Sequence, residues 1–328
     1  MKFFYRTLLT IVFVLPIIYF AGPKPNAPKY DKSLPKIVEI EHLESYVKAQ
    51  EAKHKVKLGN EAEIVWADST KKVKTEYAVV YLHGFSASKQ EGNPTHFYLA
   101  NALGANLFLA RLADHGIDTV APMQYFTADR IWETAKQAYA IGKKLGKKVI
   151  LMGTSTGGTL ALQLAATYPE VNSLVLISPN IEINDSKAWL LNNPWGLQIS
   201  RLVVGGNERK IENRKPIYQK YWYTNYRLES VVELQELLET SMKTELFAQV
   251  KQPVLMLYYY KNEQEQDPVV RVNAMLKMFN ELGTPTSQKQ KIAIPNAGNH
   301  VIGSSITSKD VLSVQKAMDT FIKNRLTK

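Results

Sequence analysis

The sequence predicts a doubly wound α/β fold, a mostly parallel sheet interrupted by an inserted helical cap. Three observations carry this. Short apolar runs recur along the chain without the alternation of a half-exposed strand. Segments of helical length and composition separate them. Between Asn180 and Val250 the rhythm breaks for a stretch too long to be a connecting loop. Runs without alternation suit strands covered on both faces, which means a parallel sheet. Alternation of such strands with helices builds a doubly wound layer.

The runs lie at residues 77–82, 118–122, 148–153, 173–178, 253–258 and 290–294, and residues 61–67 add an earlier, more exposed strand. Helical segments between them include 128–145 and 156–168. The core is expected in two parts, 37–180 and 251–328, with the cap at 181–250. The cap holds Trp189, Trp195, Trp222, the aromatic cluster at 218–223 and a helical pattern from Leu228 to Leu246. Its aromatics either line an apolar pocket or pack the cap onto the body.

Residues 1–22 read as a targeting segment. Lys2 and Arg6 precede an uncharged, mostly apolar run ending at Phe20, and no small-residue cleavage site is evident. An uncleaved membrane anchor is favoured over a cleaved signal peptide. The Pro-rich stretch 23–36 then reads as a spacer. Either way the body is expected outside the cytosol, tethered to a membrane or released.

Composition narrows the function. Of the 328 residues 45% are hydrophobic and 22% charged, an ordinary globular balance that excludes a disordered or collagen-like chain. Lys2, Arg6 and Lys24 supply three of the +11 net charge, so the remainder carries +8. Lysines cluster at 53–57, 71–74 and 143–148, but with no interleaved aromatics they read as a solvated surface rather than a nucleic-acid site. There is no cysteine, hence no thiol nucleophile and no Cys-ligated zinc. No His-Glu-x-x-His spacing suggests a metal, and no cofactor is expected.

The chemistry is concentrated in Gly153-Thr154-Ser155-Thr156-Gly157-Gly158, after the third run and at the start of a helix. A nucleophile on a sharp strand-to-helix turn needs small neighbours, which Gly153, Gly157 and Gly158 supply. Serine needs a base, and the base an orienting acid. His300 follows the last run, where α/β sites form outside the carboxyl ends of strands. His42 and His54 lie in lysine-rich sequence, His115 looks structural, and His83 braces its loop. Asp267, immediately before Pro268-Val269-Val270, is the favoured acid, with Glu263 and Glu265 as alternatives. The order Ser155, Asp267, His300 suits this arrangement. The backbone amides of Thr156 and of Phe85, after His83-Gly84, are placed to hold an oxyanion, with Gly84 allowing the turn.

With these motifs the chain resembles the α/β-hydrolase superfamily from about residue 64 to its end, most closely bacterial carboxylesterases and monoacylglycerol-lipase-like enzymes. The segment from Arg111 to Gly116 resembles one that such enzymes carry after their first helix. Thr154 and Thr156 depart from them, since many relatives have His or Leu, and Met or Gln, beside the nucleophile. The resemblance implies a serine hydrolase cleaving a small-molecule or lipid ester. A lipase or peptidase with the same triad, or a non-catalytic binding protein of the same fold, are the alternatives.

Overall fold

A computed structural model describes residues 14–326 of the chain. The strands are β1 (Glu63–Val65), β2 (Thr75–Leu82), β3 (Asn106–Leu109), β4 (Gly146–Thr154), β5 (Val171–Ile177), β6 (Glu208–Lys210), β7 (Asn225–Arg227), β8 (Val254–Tyr258) and β9 (Lys289–Ala293). Seven form one sheet in the order β1-β3-β2-β4-β5-β8-β9, and β6 and β7 pair separately. Within the large sheet only β1 is antiparallel, against β3.

Both faces of the sheet are buried, which explains the unbroken apolar runs. In β2, Ala78, Val80 and Leu82 point into a cluster that includes Trp132, Leu162 and Met275. Val79 and Tyr81 point the other way, toward Leu99, Val314 and Phe321. Helices Ala128–Leu145, Thr156–Thr167 and Val272–Glu281 thus cover one face. Helices Thr95–Ala102 and Val311–Phe321 cover the other.

One expected strand is wrong. Residues 118–122 form a loop in which Val120 is 96% exposed. The strand is Asn106–Leu109, only four residues long, all buried between β1 and β2. Its brevity weakened its signal, whereas residues 118–122 have strand composition but no layer to bury against. The pattern from Leu228 to Leu246 is also two helices, Leu228–Ser241 and Thr244–Gln249, and the second packs against the core helices Thr156–Thr167 and Val272–Glu281.

The stretch 23–36 lies against the body. Trp132 Nε1 donates to the Asp31 carbonyl (2.7 Å) and Tyr168 hydroxyl to that of Lys32 (2.9 Å). Lys136, only 1% exposed, donates to the Ser33 carbonyl (2.9 Å) and pairs with Glu133 (2.8 Å). Of the expected anchor only residues 14–22 are described, the rest lying outside the described residues. Residues 14–20 are an exposed helical turn. No helix among the described residues is long and apolar enough to cross a membrane.

Three buried histidines brace the loops beneath the sheet's carboxyl edge. His83 Nδ1 donates to the Gly84 carbonyl (2.9 Å), while its Nε2 accepts from the Leu112 amide (3.1 Å). His115 Nδ1 donates to Ala113 (2.7 Å), and the two rings meet edge to face at 4.9 Å. His96 Nε2 donates to the Lys89 carbonyl (2.9 Å). Burial holds His83 and His96 down to about 4, and His115 well below its ordinary value. This explains how such residues become inert struts: each neutral ring keeps one donor and one acceptor.

Two predictions follow from this packing. Leu151, fully buried in the central strand β4, leaves a cavity on truncation; Leu151→Ala should cost about 3 kcal/mol in denaturant unfolding, and a loss under about 1 kcal/mol would contradict the packing. The depressed histidines bind protons more readily in the unfolded chain, so stability is lost as pH falls from 6.5 toward 4. Glu91, pushed up to about 7 by burial, acts in the opposite sense, as do the raised His300 and Glu233, against the three strut histidines and the lowered His54. The melting temperature should therefore drop between pH 7 and pH 5; a flat or rising curve would contradict it.

Candidate active site

Strand β4 ends in the sharp turn that presents Ser155. Ser155 has φ +53°, a left-handed conformation that a non-glycine residue holds only under constraint. Its backbone is pinned on both sides. Its amide donates to Ile177 (2.9 Å), and its carbonyl accepts from the amides of Gly158 (2.8 Å) and Asn180 (2.9 Å). The three glycines are required by contact. A Cβ on Gly157 would sit 1.9 Å from the Leu82 carbonyl oxygen, one on Gly153 2.3 Å from the Gly157 oxygen, and one on Gly158 2.7 Å from the Pro179 side chain. Helix Thr156–Thr167 can therefore press against β2 and β4, with its positive end under Ser155.

Asp267 and His300 meet at the carboxyl ends of β8 and β9. His300 Nδ1 donates to Asp267 Oδ2 (2.7 Å). The other carboxylate oxygen accepts from the amides of Val269 (2.9 Å) and Val270 (3.1 Å), which fixes the acid. Val270 is fully buried and anchors this loop, while Val269 is 47% exposed and does not. Glu263 and Glu265 stay on the surface, where Glu263 accepts from the Tyr260 hydroxyl (2.9 Å) and Glu265 pairs with Lys261 (2.7 Å). Of the three candidate acids, Asp267 is the one that touches His300.

Burial alone would lower His300. The charge and hydrogen bond of Asp267, helped by Glu91, raise it above its ordinary value instead. Its Nε2 is buried with no hydrogen-bond partner among the described residues. Ser155 and His300 are each 7% exposed. An unpartnered imidazole nitrogen at the same sheet edge as a pinned serine can serve as a proton acceptor, and such contacts commonly tighten only when substrate binds.

The loop after β2 differs in detail from expectation. Gly84 does not have the positive φ that a flexible turn would need; Ser86 does, at +64°. Glycine is required at 84 because a Cβ would lie 2.8 Å from Glu91 Oε1 and 3.0 Å from Ser155 Cβ. The Gly84 amide donates to Glu91 Oε2. The Phe85 ring packs edge to face with His115, Phe126 and Tyr226 at 5.3–6.0 Å.

The insertion covers this loop. The Tyr223 amide donates to the Ser86 carbonyl (2.8 Å), and Trp222, 3% exposed, packs with Ala87 and Val301. Trp222 and Tyr226 thus pack onto the body, whereas Trp189 is 54% exposed. Glu91 itself gave no sequence signal, since Lys89-Gln90-Glu91 reads as a solvated turn. Only the fold buries it. Among the described residues no cluster of His, Asp or Glu is gathered as a metal would need.

The family model for the alpha/beta hydrolase fold matches residues 77–201. No curated protein matches the chain in sequence. Among solved structures, one described with the metagenome-derived lipolytic enzymes LipS and LipT superposes at TM-score 0.65 and 20% identity, covering 82% of this chain and 99% of its own. Est1E from Butyrivibrio proteoclasticus with ferulic acid bound superposes at 0.55 and 15% identity, covering 81% and 95%. A putative non-heme bromoperoxidase, BpoC, from Mycobacterium tuberculosis does so at 0.55 and 15%, covering 82% and 97%. At such identities the likeness speaks for the fold, and this fold hosts several chemistries. With its mostly parallel seven-stranded sheet flanked by helices and its sharp turn at Ser155, the chain has the alpha/beta hydrolase fold.

Proposed function

We propose that the protein is a serine hydrolase that cleaves a carboxylic ester through an acyl-enzyme. The observation that carries this is the Asp267–His300 pair at the same sheet edge as the strained Ser155 turn. Ser155 Oγ attacks the ester carbonyl and His300 Nε2 takes its proton. Asp267 holds the ring by Nδ1 and stabilises its cation. The amides of Phe85 and Thr156 receive the oxyanion. His300 then protonates the departing alcohol, and water, activated by the same imidazole, releases the acid. Esterase and lipase neighbours of the same fold are in keeping with this reading.

A lipid-like ester is favoured among substrates, because the surface near the cap is apolar. Leu202 and Val203, on cap helix Gly196–Val204, are 84% and 80% exposed. Trp195 joins this helix to the N-terminal segment, its Nε1 donating to the Ile18 carbonyl (3.0 Å). Arg209, Lys210, Arg214 and Lys215 are exposed just beyond. An apolar strip beside cations suits an anionic lipid surface. On this reading residues 1–22 hold the body at a membrane, on its non-cytosolic side, in line with Lys2 and Arg6 at the chain start.

Two experiments test these readings. A fluorophosphonate should label the protein and p-nitrophenyl esters should be hydrolysed, with Ser155→Ala abolishing both; labelling that survives in that variant would overturn the nucleophile. Full-length protein should float with anionic phospholipid vesicles, and Leu202→Glu with Val203→Glu should weaken flotation several-fold. Protein that stays at the bottom of the gradient would remove the membrane reading.

A further inference from the structure

Glu91 is a buried acid that the proposed triad does not use. It is 2% exposed and sits on the short turn Lys89–Gly92, between β2 and helix Thr95–Ala102. Its Oε2 accepts the Gly84 amide, and the Tyr81 hydroxyl approaches the same oxygen at 3.3 Å. The space beside Gly84 is bounded by this carboxyl and by Ser155 Cβ, so acid and serine share one glycine-sized gap. Few groups offset its charge. Lys89, on its own turn, is turned away to Glu63 (2.6 Å). Facing it are Tyr81 from β2, Tyr218 and the Trp222 indole from the cap, and His300 from the last loop. His96 stands behind Tyr81, ring to ring at 5.0 Å, as a neutral imidazole.

We propose that Glu91 is a second acid of the site, a positioning residue that fixes the peptide preceding Phe85 and whose charge favours the imidazolium of His300. This rests on the triad reading above. The Gly84 amide is tied to the carboxyl and the Gly84 carbonyl accepts from His83 Nδ1 (2.9 Å), so Gly84 is held on both sides and with it the start of the peptide that carries the Phe85 amide. His300 is then influenced by two carboxylates, Asp267 bonded to Nδ1 and Glu91 acting through space. Proton transfer from Ser155 makes a cation on His300, and an ionised Glu91 lowers the cost of that cation in a site that excludes water. A protonated Glu91 gives no such help. Burial pushes Glu91 up to about 7, against the pull of the Gly84 amide and of His300, so this assistance switches on around neutral pH.

Glu91→Gln separates the two roles, because the amide oxygen still accepts from Gly84 while the charge is gone. With the charge removed His300 loses its proton more easily. The acid limb of kcat/KM should move to lower pH by about half a unit or more, with kcat reduced several-fold and the melting temperature little changed. An acid limb that coincides with that of the wild type would overturn the electrostatic role. In the wild-type protein, NMR titration of the His300 ring, assigned by the signal lost in His300→Asn, should give two inflections, one of them due to Glu91. A single inflection would also overturn the proposal, and this measurement stands even where the variant does not fold. Failure of the wild type to hydrolyse any ester would count against the triad reading, while the titration would still decide the coupling of Glu91 to His300.

Discussion

The site depends on one close contact, between helix Thr156–Thr167 and the strand ends beside it. Gly157 lies so near the Leu82 carbonyl that no side chain fits there, and Gly153 and Gly158 close the same gap from β4 and from Pro179. That approach forces Ser155 into a left-handed turn at the top of the sheet. The strain is held by hydrogen bonds from β5 and from the helix's own first turn. Because β2 is a partner in the contact, the loop that follows it, with Gly84 and Phe85, is carried to within reach of the same serine.

Around this turn the fold arranges buried polar groups by what each can bond to. His83, His96 and His115 have backbone partners and no acid, so burial leaves them neutral. His300 has Asp267, and the same burial cannot keep it from rising. Identical buried side chains are thereby divided into struts and a proposed base. Glu91 completes the contrast, a carboxyl that takes its backbone donor, among the described residues, from the amide of Gly84.

The insertion ties this edge together from above. Tyr223 bonds to Ser86 through its amide, and its hydroxyl donates to the Ile117 carbonyl. Trp222 reaches both the Ala87 loop and Val301, next to His300. The Pro-rich stretch 23–36 adds a strap along helix Ala128–Leu145, where buried Lys136 donates to the Ser33 carbonyl, and it bonds to the insertion through Pro23–Trp195 and Tyr30–Thr240. Apart from the short β6–β7 pair, the insertion and the strap meet the body through aromatic and backbone contacts, and neither follows the strand–helix rhythm of the core.

The sequence by itself determined the layered fold, the serine on its glycine turn and the histidine after the last strand, because each is written locally. Unbroken apolar runs mark two-sided burial, and glycines in a row mark a contact too close for side chains. It did not determine β3, whose four residues owe their strand to the neighbours on either side, and it pointed instead to residues 118–122. It favoured Asp267 but kept Glu263 and Glu265 as alternatives; the tertiary structure brings Asp267 to His300 and leaves the other two in solvent. The reason glycine stands at 84, and the presence of Glu91 beneath it, were likewise decided only by folding. Both arise from contacts between segments far apart in the chain, and burial at such contacts changes what a carboxyl or an imidazole does without changing the letters that encode it.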